Sequence, residues 1–113
     1  MALSSNFTVT LKNNMLQQLR DSSQLILQAN QGSIFAASGA VTFNAPSNGR
    51  MELTSNVTLT IPEEGAPWDI NQITLRTGGI GGTVLLQFTP PSPISFPNGG
   101  SLIITQLDVE IDD

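Results

Sequence analysis

The stretch Met51-Glu-Leu-Thr-Ser-Asn-Val-Thr-Leu-Thr-Ile61 decides the fold class. Met51, Leu53, Val57, Leu59 and Ile61 share one parity; Glu52, Thr54, Asn56, Thr58 and Thr60 share the other. Side chains on a strand point alternately to its two faces, so this pattern predicts a half-buried antiparallel strand, apolar inward and polar outward. Pro62-Glu-Glu-Gly-Ala-Pro67 ends it.

Toward the C-terminus the period of two continues. Trp68 and Ile70 are even and Ile73 and Leu75 are odd, so the parity slips near Asn71-Gln72. One extra residue in a strand flips every later side chain, which predicts a β-bulge there. Trp68 is expected in the core, because Ile70 shares its face. Gly78–Gly82 reads as a hairpin loop into residues 83–89, with Val84, Leu86 and Phe88 facing in. The proline-rich stretch 90–97 connects to the turn Asn98-Gly-Gly100. A last strand over about 101–111 then places Ile103, Leu107, Val109 and Ile111 on one side.

Toward the N-terminus, Val41, Phe43 and Ala45 alternate, Ile34-Phe-Ala-Ala37 is a short apolar run, and Leu25, Leu27 and Ala29 alternate with Gln24, Ile26 and Gln28. Before them the period lengthens. Leu11, Met15 and Leu19 recur every four residues with Leu16 beside them, which predicts one face of a short helix over roughly residues 13–22. Asn13 or Asn14 would cap it. Phe7, Val9 and Leu11 alternate, as on an edge strand or on an arm that orders against a partner. The expected organisation is an arm or edge strand over residues 1–12 and a single β-rich domain over 13–113. The expected fold is mainly β: an antiparallel sandwich or small barrel of seven to eight strands with one short N-terminal helix.

Composition narrows the chemistry. The 113 residues contain no Cys and no His. Disulfides, Cys/His zinc sites, a Cys nucleophile and a histidine base are thereby excluded from this sequence. Four Lys+Arg against nine Asp+Glu give a net charge of -5, a poor match to phosphate, so no nucleic-acid partner is expected. Charged residues are 12% of the chain; 17 Asn+Gln and 22 Ser+Thr supply most of the polarity instead. Such a weakly repulsive surface suits a protein packed against neighbours. No apolar run approaches the length that spans a bilayer, so no membrane partner is expected. Met1-Ala-Leu-Ser-Ser lacks the basic and apolar regions of a signal peptide, so synthesis in the cytosol is the expectation.

Each chemical motif has a plainer counterpart. The glycine cluster has no Lys-Ser/Thr after it and precedes a strand, so it is not read as a phosphate loop. Asp108, Glu110 and Asp112 share one strand face, with Asp113 beside them; calcium binding would need a loop to close over them, and a solvated strand face is the simpler reading. Glu63-Glu64 sits in a turn with nothing to recruit it. No nucleophile–base pair is visible, and neither an enzymatic activity nor a cofactor is expected. The connector 90–97 has two readings. Its prolines stiffen a loop that displays Pro91, Ile94 and Phe96 for docking, or it crosses between sheets with Ile94 and Phe96 tucked into the core.

The order of these segments resembles a known group. Met1-Ala-Leu-Ser leads into a helix with Met15-Leu-x-x-Leu19. Ile73-Thr-Leu-Arg-Thr, a glycine loop and Thr83-Val-Leu-Leu-Gln follow. Pro97-Asn-Gly-Gly-Ser and Leu102-Ile-Ile-Thr-Gln-Leu-Asp-Val close the chain. This resembles the small β-rich structural proteins of tailed-bacteriophage virions. Members commonly carry a Tyr-Thr-Gly strand end after the helix, where this chain has Gln31-Gly-Ser-Ile-Phe-Ala-Ala. The resemblance implies a capsid decoration (cement) protein, made in the bacterial host cytoplasm and located in the virion, that clamps major capsid proteins from outside and stabilises the shell. It implies a homo-oligomer, often a trimer, with Leu3, Phe7 and Val9 of the arm ordering against the shell. The alternatives are a neck, tail or fibre-attachment virion protein, or a carbohydrate- or ligand-binding β-sandwich module.

Overall fold

The computed structural model describes residues 1–3 and 5–111. Helix α1 spans Val9–Arg20, and ten short strands follow: β1 Ile26–Gln31, β2 Ile34–Ser38, β3 Arg50–Glu52, β4 Val57–Ile61, β5 Trp68–Ile70, β6 Ile73–Thr77, β7 Thr83–Phe88, β8 Ile94–Phe96, β9 Gly100–Ile104 and β10 Asp108–Glu110. Six strands form an antiparallel sheet in the order β7-β6-β1-β2-β4-β9. Two ribbons, β10-β3 and β5-β8, complete the fold. The architecture is mainly β and sandwich-like, with one N-terminal helix.

One core joins these parts. Leu27, Ala29, Ala36, Leu59 and Leu75 line the inner face of the large sheet, and Trp68, Ile70, Met51, Val109, Phe43 and Leu16 belong to the same buried cluster. Trp68 is fully buried, as its sequence context predicts, and its indole N–H donates to the Glu64 carbonyl at 2.9 Å. That bond meets the one polar demand a buried indole makes.

The long alternations are each broken, for a common reason: their halves pair with different partners. The stretch 51–61 keeps its inward parity, with Met51, Val57, Leu59 and Ile61 buried, but it is two strands. Around Leu53 the backbone pairs instead with residues 42–44, through Asn44 N–H to Glu52 O (2.8 Å) and Thr54 N–H to Thr42 O (2.9 Å). The parity slip at Asn71-Gln72 is likewise a change of sheet, from β5 on β8 to β6 on β1, and not a bulge. The bulge lies in β7. Leu75 pairs with Leu86 but Arg76 pairs with Val84, so Leu85 is the extra residue and Val84 points outward. The predicted last strand also divides. β9 turns Leu102 and Ile104 inward and leaves Ile103 58% exposed, whereas β10 buries Val109.

The helix starts earlier than the sequence suggests. Thr8, not Asn13 or Asn14, is the N-cap, and its hydroxyl accepts from Leu11 N–H at 3.2 Å. Residues 9–11 are therefore helical and not strand. Leu16 is buried and Leu19 half-buried, but Leu11 and Met15 face solvent. The packed side is instead completed by polar groups with long-range work. Asn13 Oδ1 accepts from Gly49 N–H (2.8 Å), and Arg20 Nε–H donates to Phe43 O (2.8 Å). These bonds turn the helix so that Leu16, and not the Leu11–Met15 side, meets the core.

Candidate functional site

Most of the exposed large apolar residues lie near the N-terminal end. Leu3 is 87% exposed, and Phe7, Val9, Leu11 and Met15 are each about half exposed. Residues 1–3 and 5–8 have no regular secondary structure, and α1 continues them. Leu11 and Met15 stand one turn apart on the helix side away from the core, since residues four apart share a helix face. Singly exposed apolar residues need no explanation, but five within fifteen positions mark this end of the chain as a candidate contact region. Phe7, Val9 and Leu11 were marked by their alternation, and Leu3 only as part of the arm that the resemblance implies. The exposure of Leu11 and Met15 was not legible, because their spacing matches a buried face equally well.

The proline-rich connector divides. Pro91 is exposed. Ile94 and Phe96 lie in β8, opposite Ile70 and Trp68 of β5, and both are half-buried against the core. Their placement is that of a crossover whose side chains close one side of the Trp68 cluster.

The acidic strand is organised by a single cation. Arg50 stands beside Asp108, with which it forms a short hydrogen-bonded ion pair, and beside Glu52 at 3.3 Å. In the β3–β10 register Asp108 faces Glu52 and Glu110 faces Arg50. The hydrogen bond with Asp108, then its charge, raises the Arg50 pKa above the ordinary guanidinium value; the more distant Glu52 and Glu110 add to this. Among the described residues no group of three or more acidic side chains is placed to hold a metal ion. Asp112 and Asp113, which complete the acidic run, lie outside the described residues.

The glycine loop is a hairpin connection between β6 and β7, and it is tied down. Gly78 and Gly79 N–H donate to the carbonyls of Ser23 and Gln24, and Gly81 N–H donates to Gln28 Oε1 at 2.9 Å. Arg76 donates to Gly82 O at 3.1 Å and to Thr74 Oγ1 at 3.0 Å. The loop thereby covers the outer face of β1. This explains why Ile26 and Gln28, expected to face outward, are buried.

One apolar cavity opens on the inner face of the large sheet. It measures about 180 Å³ and is lined by Leu27, Ile73, Phe88, Thr89, Pro90, Ile104 and Leu107. Phe88 and Ile104 end β7 and β9, the two outermost strands. The sheet is thus curled enough for its opposite edges to share one cavity, although they do not pair with each other. No sequence signal marks this cavity, because its residues are far apart in the chain and each reads as ordinary core. Compared with protein-family models, curated proteins and solved structures, the chain matches none of them.

Proposed function

We propose that this chain is a structural protein of a bacteriophage virion, a capsid decoration (cement) protein that binds the outer shell of major capsid proteins and stabilises it. The observation that carries the reading is the exposed apolar side of α1, Leu11 and Met15, continued by Phe7 and Leu3. The segment order quoted above, which resembles small phage virion proteins, supplies the class of partner. A domain held on one rigid core and presenting an apolar helix side suits a clamp repeated many times over a shell, where modest contacts sum by multivalency. Shell binding uses the helix side, and the weakly charged surface lets copies sit close together.

The test is co-sedimentation of the purified chain with shells stripped of it. Leu11→Asp with Met15→Asp places two charges on the solvent side of the helix and leaves Leu16 in the core. The reading predicts a folded variant that no longer sediments with shells. Undiminished binding by the variant, or no binding by the parent chain, contradicts it.

A further inference from the structure

The chain contains two Asn-Gly pairs, Asn48-Gly49 and Asn98-Gly99. Such a pair is chemically reactive. Glycine has no Cβ to shield its amide nitrogen, so that nitrogen can reach the preceding asparagine side chain. Both asparagines lie in turns and both are exposed, so exposure does not separate them. Their surroundings do. Asn48 (φ +54°) and Gly49 (φ +74°) are the two central residues of a tight hairpin turn. Ser47 N–H to Arg50 O (2.8 Å) and Arg50 N–H to Ser47 O (3.1 Å) close it. Gly49 is buried, its N–H donates to Asn13 Oδ1 at 2.8 Å, and its carbonyl accepts from Ile111 N–H at 3.0 Å. The nitrogen that would react is thus already engaged, by a side chain 36 residues away. Among the described residues no side chain holds the Gly99 N–H in this way. Gly99 is close-packed on its Cα side instead: a Cβ there would lie 2.7 Å from the Ile61 carbonyl oxygen.

We infer that Asn98 is a site of spontaneous deamidation and that Asn13 shields Asn48 from the same reaction. The Gly99 amide nitrogen gives up its proton to solvent base and bonds to Asn98 Cγ. The bond from Cγ to the side-chain nitrogen breaks, and that nitrogen leaves as ammonia. The product is a cyclic imide. Water then adds to one of its two carbonyls and opens the ring to aspartate or to isoaspartate, in which the main chain runs through the side-chain carboxyl. The sum is asparagine plus water giving aspartate or isoaspartate plus ammonia, with no oxidant or reductant. At Asn48 the reacting nitrogen must first leave Asn13, so the reaction waits on a local opening of the turn. Conversion of Asn98 places a new negative charge in the turn between β8 and β9. Isoaspartate also lengthens the main chain beside Gly99, where the Ile61 oxygen leaves little room, and next to the Gly100–Ile61 pair that starts β9. The modification therefore acts on an outermost strand of the large sheet. This inference does not depend on the virion reading.

Ageing the full chain at mildly alkaline pH in oxygen-labelled water, followed by peptide mass spectrometry, tests it. Each converted asparagine takes up one labelled oxygen. The same chain held unfolded in urea gives each residue its own reference rate. Folding is expected to slow Asn48 roughly tenfold more than Asn98, the population cost of breaking one net hydrogen bond. Asn13→Ala, folded by circular dichroism, is expected to abolish most of that difference by speeding Asn48 and leaving Asn98 unchanged. Hydrogen exchange on the parent chain gives a second reading that needs no variant: the Gly49 amide is expected to be protected and the Gly99 amide to exchange faster. Equal slowing of the two asparagines overturns the proposal, as does a folded chain in which Asn98 does not convert. So does a folded Asn13→Ala variant in which Asn48 stays as slow as in the parent, or a Gly99 amide as protected as that of Gly49.

Discussion

The Gln28 side-chain oxygen accepts a hydrogen bond from Gly81 N–H at 2.9 Å, and through it the central strand of the large sheet holds the glycine loop. Gln28 is 1% exposed on a strand flanked on both sides. Its amide nitrogen donates to Asn30 Oδ1 at 2.8 Å, and its backbone carbonyl accepts from Thr74 Oγ1 at 3.2 Å. A buried carboxamide is tolerated where its donors and acceptors are met, and this one is met at both ends. Gln28→Leu keeps the volume and removes both side-chain bonds. The expected loss is about 1–2 kcal/mol, read as a lower urea midpoint with unchanged slope. The Gly81 amide should also lose its hydrogen-exchange protection, which a purely local packing defect would leave in place.

Trp68 reports on the whole core. It is the only Trp in the chain and is fully buried, so native emission should be blue-shifted and should move red in a single transition on unfolding. Trp68→Ala removes the largest side chain of the cluster and leaves the Glu64 carbonyl without its donor. A loss of about 3–5 kcal/mol is expected from denaturant melts followed by circular dichroism.

Thr8 sets where the helix begins. Replacing it by alanine removes the acceptor for Leu11 N–H and should cost about 1 kcal/mol, measured by chemical denaturation. Asn14→Ala should cost less, because Asn14 is exposed within α1 and is not its cap.

These cases show what the sequence could and could not disclose. Period-two alternation identified a mainly β chain and placed Met51, Val57, Leu59, Ile61 and Trp68 inside correctly, because inward parity is a local property. It merged β3 with β4 because a change of pairing partner leaves no mark where parity is kept, and β9 with β10 because Ile103, apolar but exposed, hid the slip between them. The helix was displaced because Leu11, Met15 and Leu19 mimic a buried face, while the bonds that orient it, Asn13 to Gly49 and Arg20 to Phe43, span 36 and 23 residues. The burial of Gln28 rests on a loop 53 residues away and was equally hidden. Of the candidate surface, the alternation of Phe7, Val9 and Leu11 drew attention to the right segment, but Val9 and Leu11 are helical and not strand. The β7–β9 cavity was not, since it exists only through the curl of the sheet.

Arg50 gives the charged ribbon its pH behaviour. A raised folded-state pKa contributes stability that is complete below the ordinary guanidinium value and is lost only as pH rises through the still higher folded value. The Arg50–Asp108 pair should therefore show no loss of the Arg50 charge on moving from neutral to mildly alkaline pH. Arg50→Gln leaves Glu52, Asp108 and Glu110 facing one another without their cation. The variant should be less stable than the parent at neutral pH, and added salt should narrow the difference by screening the carboxylates. Thermal melts at low and high ionic strength measure this; a difference that grows with salt would count against the arrangement.

The central claim is that this chain belongs to a virion shell. Quantitative mass spectrometry of purified particles of the phage that the proposal implies tests that most directly, by giving the chain's abundance relative to the major capsid protein. The account predicts near-equal abundance, as about one copy per shell subunit requires. A few copies per particle would contradict the cement role and move the chain to the neck or tail, and absence from the particle would contradict the virion reading altogether.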